Sequence, residues 1–175
     1  YAKRNGEILS EICSITALEL KAQSGERNGK YPFDCAFNAL VIPSENAVIG
    51  RKKSLCPPLS EICENSNQGY AACSSLVING TVVTADPSVA AAAERLKIRC
   101  RMISGGDIVL PGYDAGFIGG CGGFYDNTLC LFGNPELTKT GKELLNFCRQ
   151  EAVETVSLCD GPLTDYGSVK FVPLL

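Results

Sequence analysis

The pentapeptide Leu9-Ser10-Glu11-Ile12-Cys13 recurs unchanged as Leu59-Ser60-Glu61-Ile62-Cys63, and a looser copy stands at Leu144-Leu145-Asn146-Phe147-Cys148. Each copy fits the inward face of a helix. Each belongs to a longer order of extended run, polar or Gly-rich loop, and hairpin. A supersecondary unit that repeats on this scale cannot bury its apolar face alone, so it must pack against further copies of itself. That requirement constrains the architecture more tightly than any other feature of the chain.

Four such units are legible, at about residues 6–50, 57–86, 87–133 and 138–175. In the first, Ile8, Ile12, Ile15 and Leu18 predict a helix over 6–22, and a hairpin follows at 36–42 and 47–50. The second opens at Pro57-Pro58 with a helix over 59–64. Its hairpin, 70–78 and 81–85, turns on Asn79-Gly80, a strong two-residue signal. The third has a helix over 87–97 with Asp86 as N-cap and Pro87 in the first turn, then a strand over 99–103. Its glycine-rich hairpin spans 117–125 and 128–132. The fourth predicts a helix over 138–150 and a strand over 155–158.

The common order is a permuted ββαβ unit. It predicts one α/β domain over residues 1–175, with units arranged around an axis where their loops converge. The first unit lacks a preceding strand, so the expected ring is about four-fifths of a five-unit propeller, incomplete at its N-terminal unit. The open edge of such a ring predicts pairing between chains as a homodimer.

Composition narrows the partners. With 45 % hydrophobic residues in 175, the chain can bury a real core. The net charge of −3 and the absence of any basic run longer than Arg51-Lys52-Lys53 argue against nucleic acid and anionic membrane as partners. No stretch approaches the roughly 20 apolar residues that span a bilayer. The ten cysteines are spread along the chain without a C-x-x-C pair. They read as small buried hydrophobes in a reducing cytoplasm, with no metal site and no cofactor.

Four stretches carry a family resemblance: Asn67-Gln68-Gly69-Tyr70-Ala71-Ala72-Cys73-Ser74, Val83-Thr84-Ala85-Asp86-Pro87-Ser88, Leu110-Pro111-Gly112-Tyr113-Asp114-Ala115-Gly116-Phe117-Ile118-Gly119-Gly120, and Ser157-Leu158-Cys159-Asp160-Gly161-Pro162-Leu163-Thr164-Asp165. Over residues 30–175 the chain resembles an uncharacterised bacterial family assigned to the guanidine-modifying-enzyme (pentein) fold. The resemblance implies a pentein-like α/β propeller and no established activity. Relatives with known chemistry hold a guanidinium between carboxylates, attack it with a Cys thiolate and use a His as general acid/base. This chain has no histidine. Asp165 and Tyr166 also stand where the resemblance would place a nucleophile cysteine. The expectation is therefore a catalytically degenerate domain.

The predicted axial loops supply Asp34, Asn67, Gln68, Asp107, Asp114, Asp160 and Asp165, with Tyr70, Tyr113 and Tyr166 beside them. Carboxylates with aromatic faces suit a small cationic, guanidino or amide ligand. Each Asp equally suits a turn or cap. The leading expectation is a ligand-binding domain or a protein-interaction module. The alternative is a Cys-dependent hydrolase or transferase acting on guanidino or amidine groups, with Cys73 or Cys121 as nucleophile and Asp114 as base. Cys73 sits among Ala71, Ala72 and Leu76 and reads more readily as packing. The glycines at 116–123 lead into a strand pair and not from strand to helix, which favours close backbone approach over a phosphate loop.

Overall fold

All four residues of the segment Thr81–Thr84 are buried, so its sheet is covered on both faces. Three small sheets of this kind account for the architecture. The structure, a computed structural model, describes residue 31 and residues 33–171. The chain divides into two compact bodies, Asn28–Val169 and Tyr1–Arg27 with Lys170–Leu175. Everything that follows concerns the first. The helix expected over 6–22 lies outside the described residues.

The first unit runs β1 (Leu40–Ile42), β2 (Ala47–Gly50), α1 (Pro57–Ile62) and β3 (Glu64–Asn65). The second runs β4 (Ser75–Ile78), β5 (Thr81–Thr84), α2 (Pro87–Arg95) and β6 (Cys100–Met102). The third runs β7 (Gly122–Tyr125), β8 (Thr128–Leu131), α3 (Lys139–Gln150) and β9 (Glu154–Ser157). In each, the first two strands form an antiparallel hairpin and the third returns through the helix to lie parallel to the second. This is the ββαβ unit three times over. The described residues form three separate mixed sheets; neither a closed barrel nor a propeller is among them.

Local chemistry explains the turns. Asn79 and Gly80 both take positive φ, 48° and 74°, the type I′ pattern that matches strand twist. Asp126 and Asn127 repeat it at 47° and 59°. Register then pairs Leu76 with Val83 and Ile78 with Thr81 in the second unit.

The core follows one rule through the repeat. Val89, Ala92 and Ala93 of α2 pack with Val82 of their own sheet and with Leu40, Ile42 and Ile49 of the preceding sheet. Leu144, Phe147 and Cys148 of α3 join Leu129 and Leu131 of their own sheet to Leu76, Ile78 and Val83 of the preceding one. Leu59 of α1 packs on Ala39, Val48, Leu55 and Cys63. Each of the two later helices thus binds two units together. Fully burying one Leu such as Leu144 contributes about 1.5–3 kcal/mol.

Several local expectations need correction. The helix read at 59–64 starts at Pro57 and ends at Ile62, because Cys63 turns extended at φ −83°, ψ 145°. Glu64, expected to end that helix, and Asn65, expected to open the loop, instead form β3, a strand too short to show alternation. Residues 70–74, read as strand, make a helical turn closed by Ser74 N–H donating to the Tyr70 carbonyl at 2.8 Å. Ile118–Gly120 is a 3-10 turn instead of the start of a strand. There the glycines do serve close approach: a side chain on Gly119 would collide with the carbonyls of Ala72 and Ser75.

Candidate functional site

Between the second and third units the loops after β5, β6 and Pro111 leave a cleft of about 230 Å³. Gln68, Asp86, Ser104, Gly105 and Gly106 give it polar edges, and Ile108, Phe117 and Ile118 give it apolar walls. Asp86 is the one ionisable side chain on this lining among the described residues.

Asp86 stands there because it caps α2. Its Oδ1 accepts from Ser88 N–H at 2.8 Å, Val89 N–H at 3.0 Å and Ser88 Oγ at 2.6 Å. Its Oδ2 accepts from Gln68 Nε2 at 2.8 Å. Burial opposes the charged form, but the bonds from Ser88, Val89 and Gln68 outweigh it and hold Asp86 below its ordinary value. The helix N–H groups that would otherwise greet an anion are thus already taken by a carboxylate. The opposite edge is fixed in a similar way. Glu143 accepts from Ser104 N–H at 2.6 Å and from Ser104 Oγ at 2.8 Å. These bonds pull Glu143 down from the usual range.

Gln68-Gly69-Tyr70 links this cleft to a second cluster. Gln68 Oε1 accepts from Tyr70 N–H at 3.0 Å. The Tyr70 hydroxyl donates to Asp34 Oδ2 at 2.6 Å. That bond lowers Asp34 and, with burial, pushes the Tyr70 phenol well above its ordinary value. The Tyr70 ring lies 6.0 Å from Tyr31 and 6.2 Å from Phe117, so one aromatic row runs from the Asp34 side into the cleft wall.

The residues expected to form one axial site stand in several different surroundings. Gln68 reaches the cleft, and Asp34 and Tyr70 form the adjoining cluster. Asn67 is exposed and donates its backbone N–H to Ser88 Oγ at 3.1 Å. Tyr113, Asp114 and Asp160 are exposed, and the structure does not bring them to the cleft.

Asp165 is buried behind the cleft wall, accepting from Phe117 N–H at 2.9 Å and Gly167 N–H at 3.1 Å. It fixes the backbone that carries the Phe117 ring. Asp107 is a cap: it accepts from Lys139 N–H at 2.6 Å and Thr140 N–H at 3.1 Å at the start of α3. Tyr166 is exposed and packs edge-on against Phe132, with ring centres 5.2 Å apart.

Neither thiol named as a nucleophile lines the cleft. Cys121 is buried, and burial followed by the neighbouring Asp165 pushes it up to about 12. Cys73 accepts from Asn38 Nδ2 at 3.0 Å. Asp86 and Phe117 were read from sequence only as a cap and a strand residue. The cap assignment holds, but nothing local announces that both would face the same cleft. Among the described residues no group of three or more Cys, Asp or Glu is placed to hold a metal ion. No helix among them is long and apolar enough to cross a membrane.

No curated protein and no solved structure matches the chain. A family model does match, over residues 2–170, and its description assigns neither an activity nor a fold. With nearly the whole chain covered, the protein belongs to that family of unknown function, DUF6873.

Proposed function

We propose that this protein binds a small ligand carrying an ammonium, guanidinium or amide donor in the cleft beside Gln68 and Asp86. One observation carries the reading. The cleft presents a carboxylate held in its charged form and an aromatic ring, with no cationic side chain on its lining among the described residues. Carboxylate and ring together attract a cation through charge-assisted hydrogen bonds and the ring quadrupole. Resemblance to the guanidine-modifying-enzyme fold points the same way. Binding is favoured over Cys-dependent hydrolysis because no thiol lies on the lining among the described residues. The two serine hydroxyls there are also engaged: Ser74 Oγ donates to the Ala71 carbonyl at 3.1 Å and Ser104 Oγ to Glu143.

The test is a thermal-shift and calorimetric screen against arginine, agmatine, methylated arginines, citrulline and simple amines. A ligand at 100 times its Kd stabilises the fold by about 2.7 kcal/mol. Binding should disappear in Asp86→Asn, which keeps the cap geometry and removes the charge, and weaken in Phe117→Leu. Failure of every compound, or binding untouched by Asp86→Asn, would overturn the proposal.

A further inference from the structure

Beside the cleft, two thiols from distant parts of the chain share one small neighbourhood. The 3-10 turn Phe33–Cys35 presents Cys35, fully buried, with its Sγ donating to Asp34 Oδ1 at 3.3 Å. The same sulfur lies 3.1 Å from where a Cβ on Gly69 would stand. Gly69 leads directly into the helical turn over 70–74, and the Cys73 thiol in that turn lies close enough to act electrostatically on Cys35. Cys73 is the residue four beyond Gly69.

Asn38 locks this arrangement. Its N–H donates to the Cys35 carbonyl at 2.9 Å, and its side-chain amide donates to Cys73 Sγ at 3.0 Å. Its Oδ1 accepts from Ala72 N–H at 2.9 Å and Cys73 N–H at 3.2 Å. One side chain therefore ties the Cys35 turn to the Cys73 turn.

We propose that Cys35 and Cys73 are a redox-active pair, which closes to a disulfide by exchange with a low-molecular-weight disulfide such as oxidised glutathione. The two thiols differ in role. Cys35 is sealed in, and burial with the adjacent Asp34 pushes it up to about 11, so it does not start the exchange. Cys73 is only part-buried and already accepts an amide N–H at sulfur, the contact a developing thiolate needs.

Cys73 thiolate attacks one sulfur of the small disulfide. The Cys73–S bond forms, the small S–S bond breaks, and one thiolate leaves and takes up the proton that Cys73 released. Cys35 then gives its proton toward the Asp34 carboxylate and attacks Cys73 Sγ, expelling the second small thiolate, which carries that proton away. Two protein thiols and one small disulfide become one protein disulfide and two small thiols. Two electrons pass from the protein to the oxidant. The staple joins residues 35 and 73 across Asn38 and fixes the Gln68-Gly69-Tyr70 segment whose Gln68 edges the cleft.

The experiment uses the full chain, reduced and then equilibrated in glutathione buffers of graded oxidised fraction, quenched with a maleimide and weighed intact. Of ten thiols, two should be lost together without retained glutathione, and peptide mapping should join Cys35 to Cys73. Dithiothreitol should restore both. Cys73→Ser should abolish the paired loss, and Cys100→Ser, which removes an exposed thiol elsewhere, should leave it intact. Cys35→Ser should stop the reaction at a stable mixed disulfide on Cys73. If that buried substitution prevents folding, the wild-type map and Cys73→Ser still decide. A map joining other cysteines, a paired loss surviving in Cys73→Ser, or glutathione retained on wild-type Cys73 would overturn the pair.

Discussion

Helices α2 and α3 both begin on a carboxylate, but from opposite distances in the chain. Asp86 stands immediately before α2 and takes two of its first N–H groups. Asp107 stands 32 residues before Lys139, yet it takes the N–H groups of Lys139 and Thr140 and also accepts from Thr140 Oγ1. Thr138, the residue next to α3, adds only a bond from Gly141 N–H at 3.0 Å. The local carboxylate leaves its second oxygen to Gln68 and so becomes part of a cleft. The distant one is spent on holding the loop after β6 against the next helix, with Ser104 and Glu143 as a second tie. Similar hydrogen bonds thus edge a cleft in one place and tie a seam between units in the other.

The sharpest way to break this contrast is to remove each carboxylate in turn. Asp107→Ala leaves the N–H groups of Lys139 and Thr140 without their acceptor and loosens the seam, while the Thr140 hydroxyl keeps the Ser104 carbonyl at 3.1 Å. We expect a loss of about 2–3 kcal/mol in urea unfolding. Asp86→Ala should lose about 1–2 kcal/mol, an ordinary N-cap value, because only one helix is affected. If Asp86→Ala proves the more damaging, the cleft-side cap is also structural support between units, and the contrast fails.

Acid unfolding sharpens the same comparison. Burial raises both carboxyls, but their hydrogen bonds outweigh it, so Asp86 and Asp107 lie below the ordinary value of 3.8 in the fold. A carboxyl lowered by folding contributes stability that is complete above its unfolded value and is lost as pH falls through its folded one. The stability these two groups contribute should therefore be flat above about pH 5 and decline below 3.8. Asp107→Asn and Asp86→Asn should each make that decline shallower. A pH profile unchanged in both would mean that neither carboxylate is charged in its cap.

The same pair shows how much could be read from sequence. Asp86-Pro87-Ser88 announces a cap within three residues, because donor and acceptor are neighbours. The hairpin turns at Asn79-Gly80 and Asp126-Asn127 are legible for the same reason, whereas the expected inward face at Leu59–Cys63 leaves Ile62 exposed. Asp107 reads only as another loop acid, since its partners lie 32 residues on, beyond the β7–β8 hairpin. The site fared likewise. Gln68 and Tyr70 share one motif, but Tyr113, Asp114 and Asp160, which the expected symmetry groups with them, stand exposed elsewhere. Asn38, which organises the thiol cluster, carries no local signal, because its side-chain partners among the described residues come from positions 72 and 73.

The smallest expected effects come from the other ends of the helices, where the contrast reverses. Arg95 of α2 reaches back to the first unit, donating to Glu64 Oε1 at 2.7 Å and to the Asn65 carbonyl at 2.6 Å. Arg149 of α3 stays local, meeting Glu136 at 3.0 Å just before its own helix. Both arginines are largely exposed, so solvent screening and side-chain entropy erase most of the Coulombic gain. Arg149→Ala should change stability by less than about 0.5 kcal/mol. Arg95→Ala should lose up to about 1 kcal/mol, because a backbone carbonyl at the edge of β3 also loses its donor. Equal losses would mean that the chain distance bridged by an exposed arginine makes no difference, and that the Arg95 bonds add nothing to the seam between the first two units.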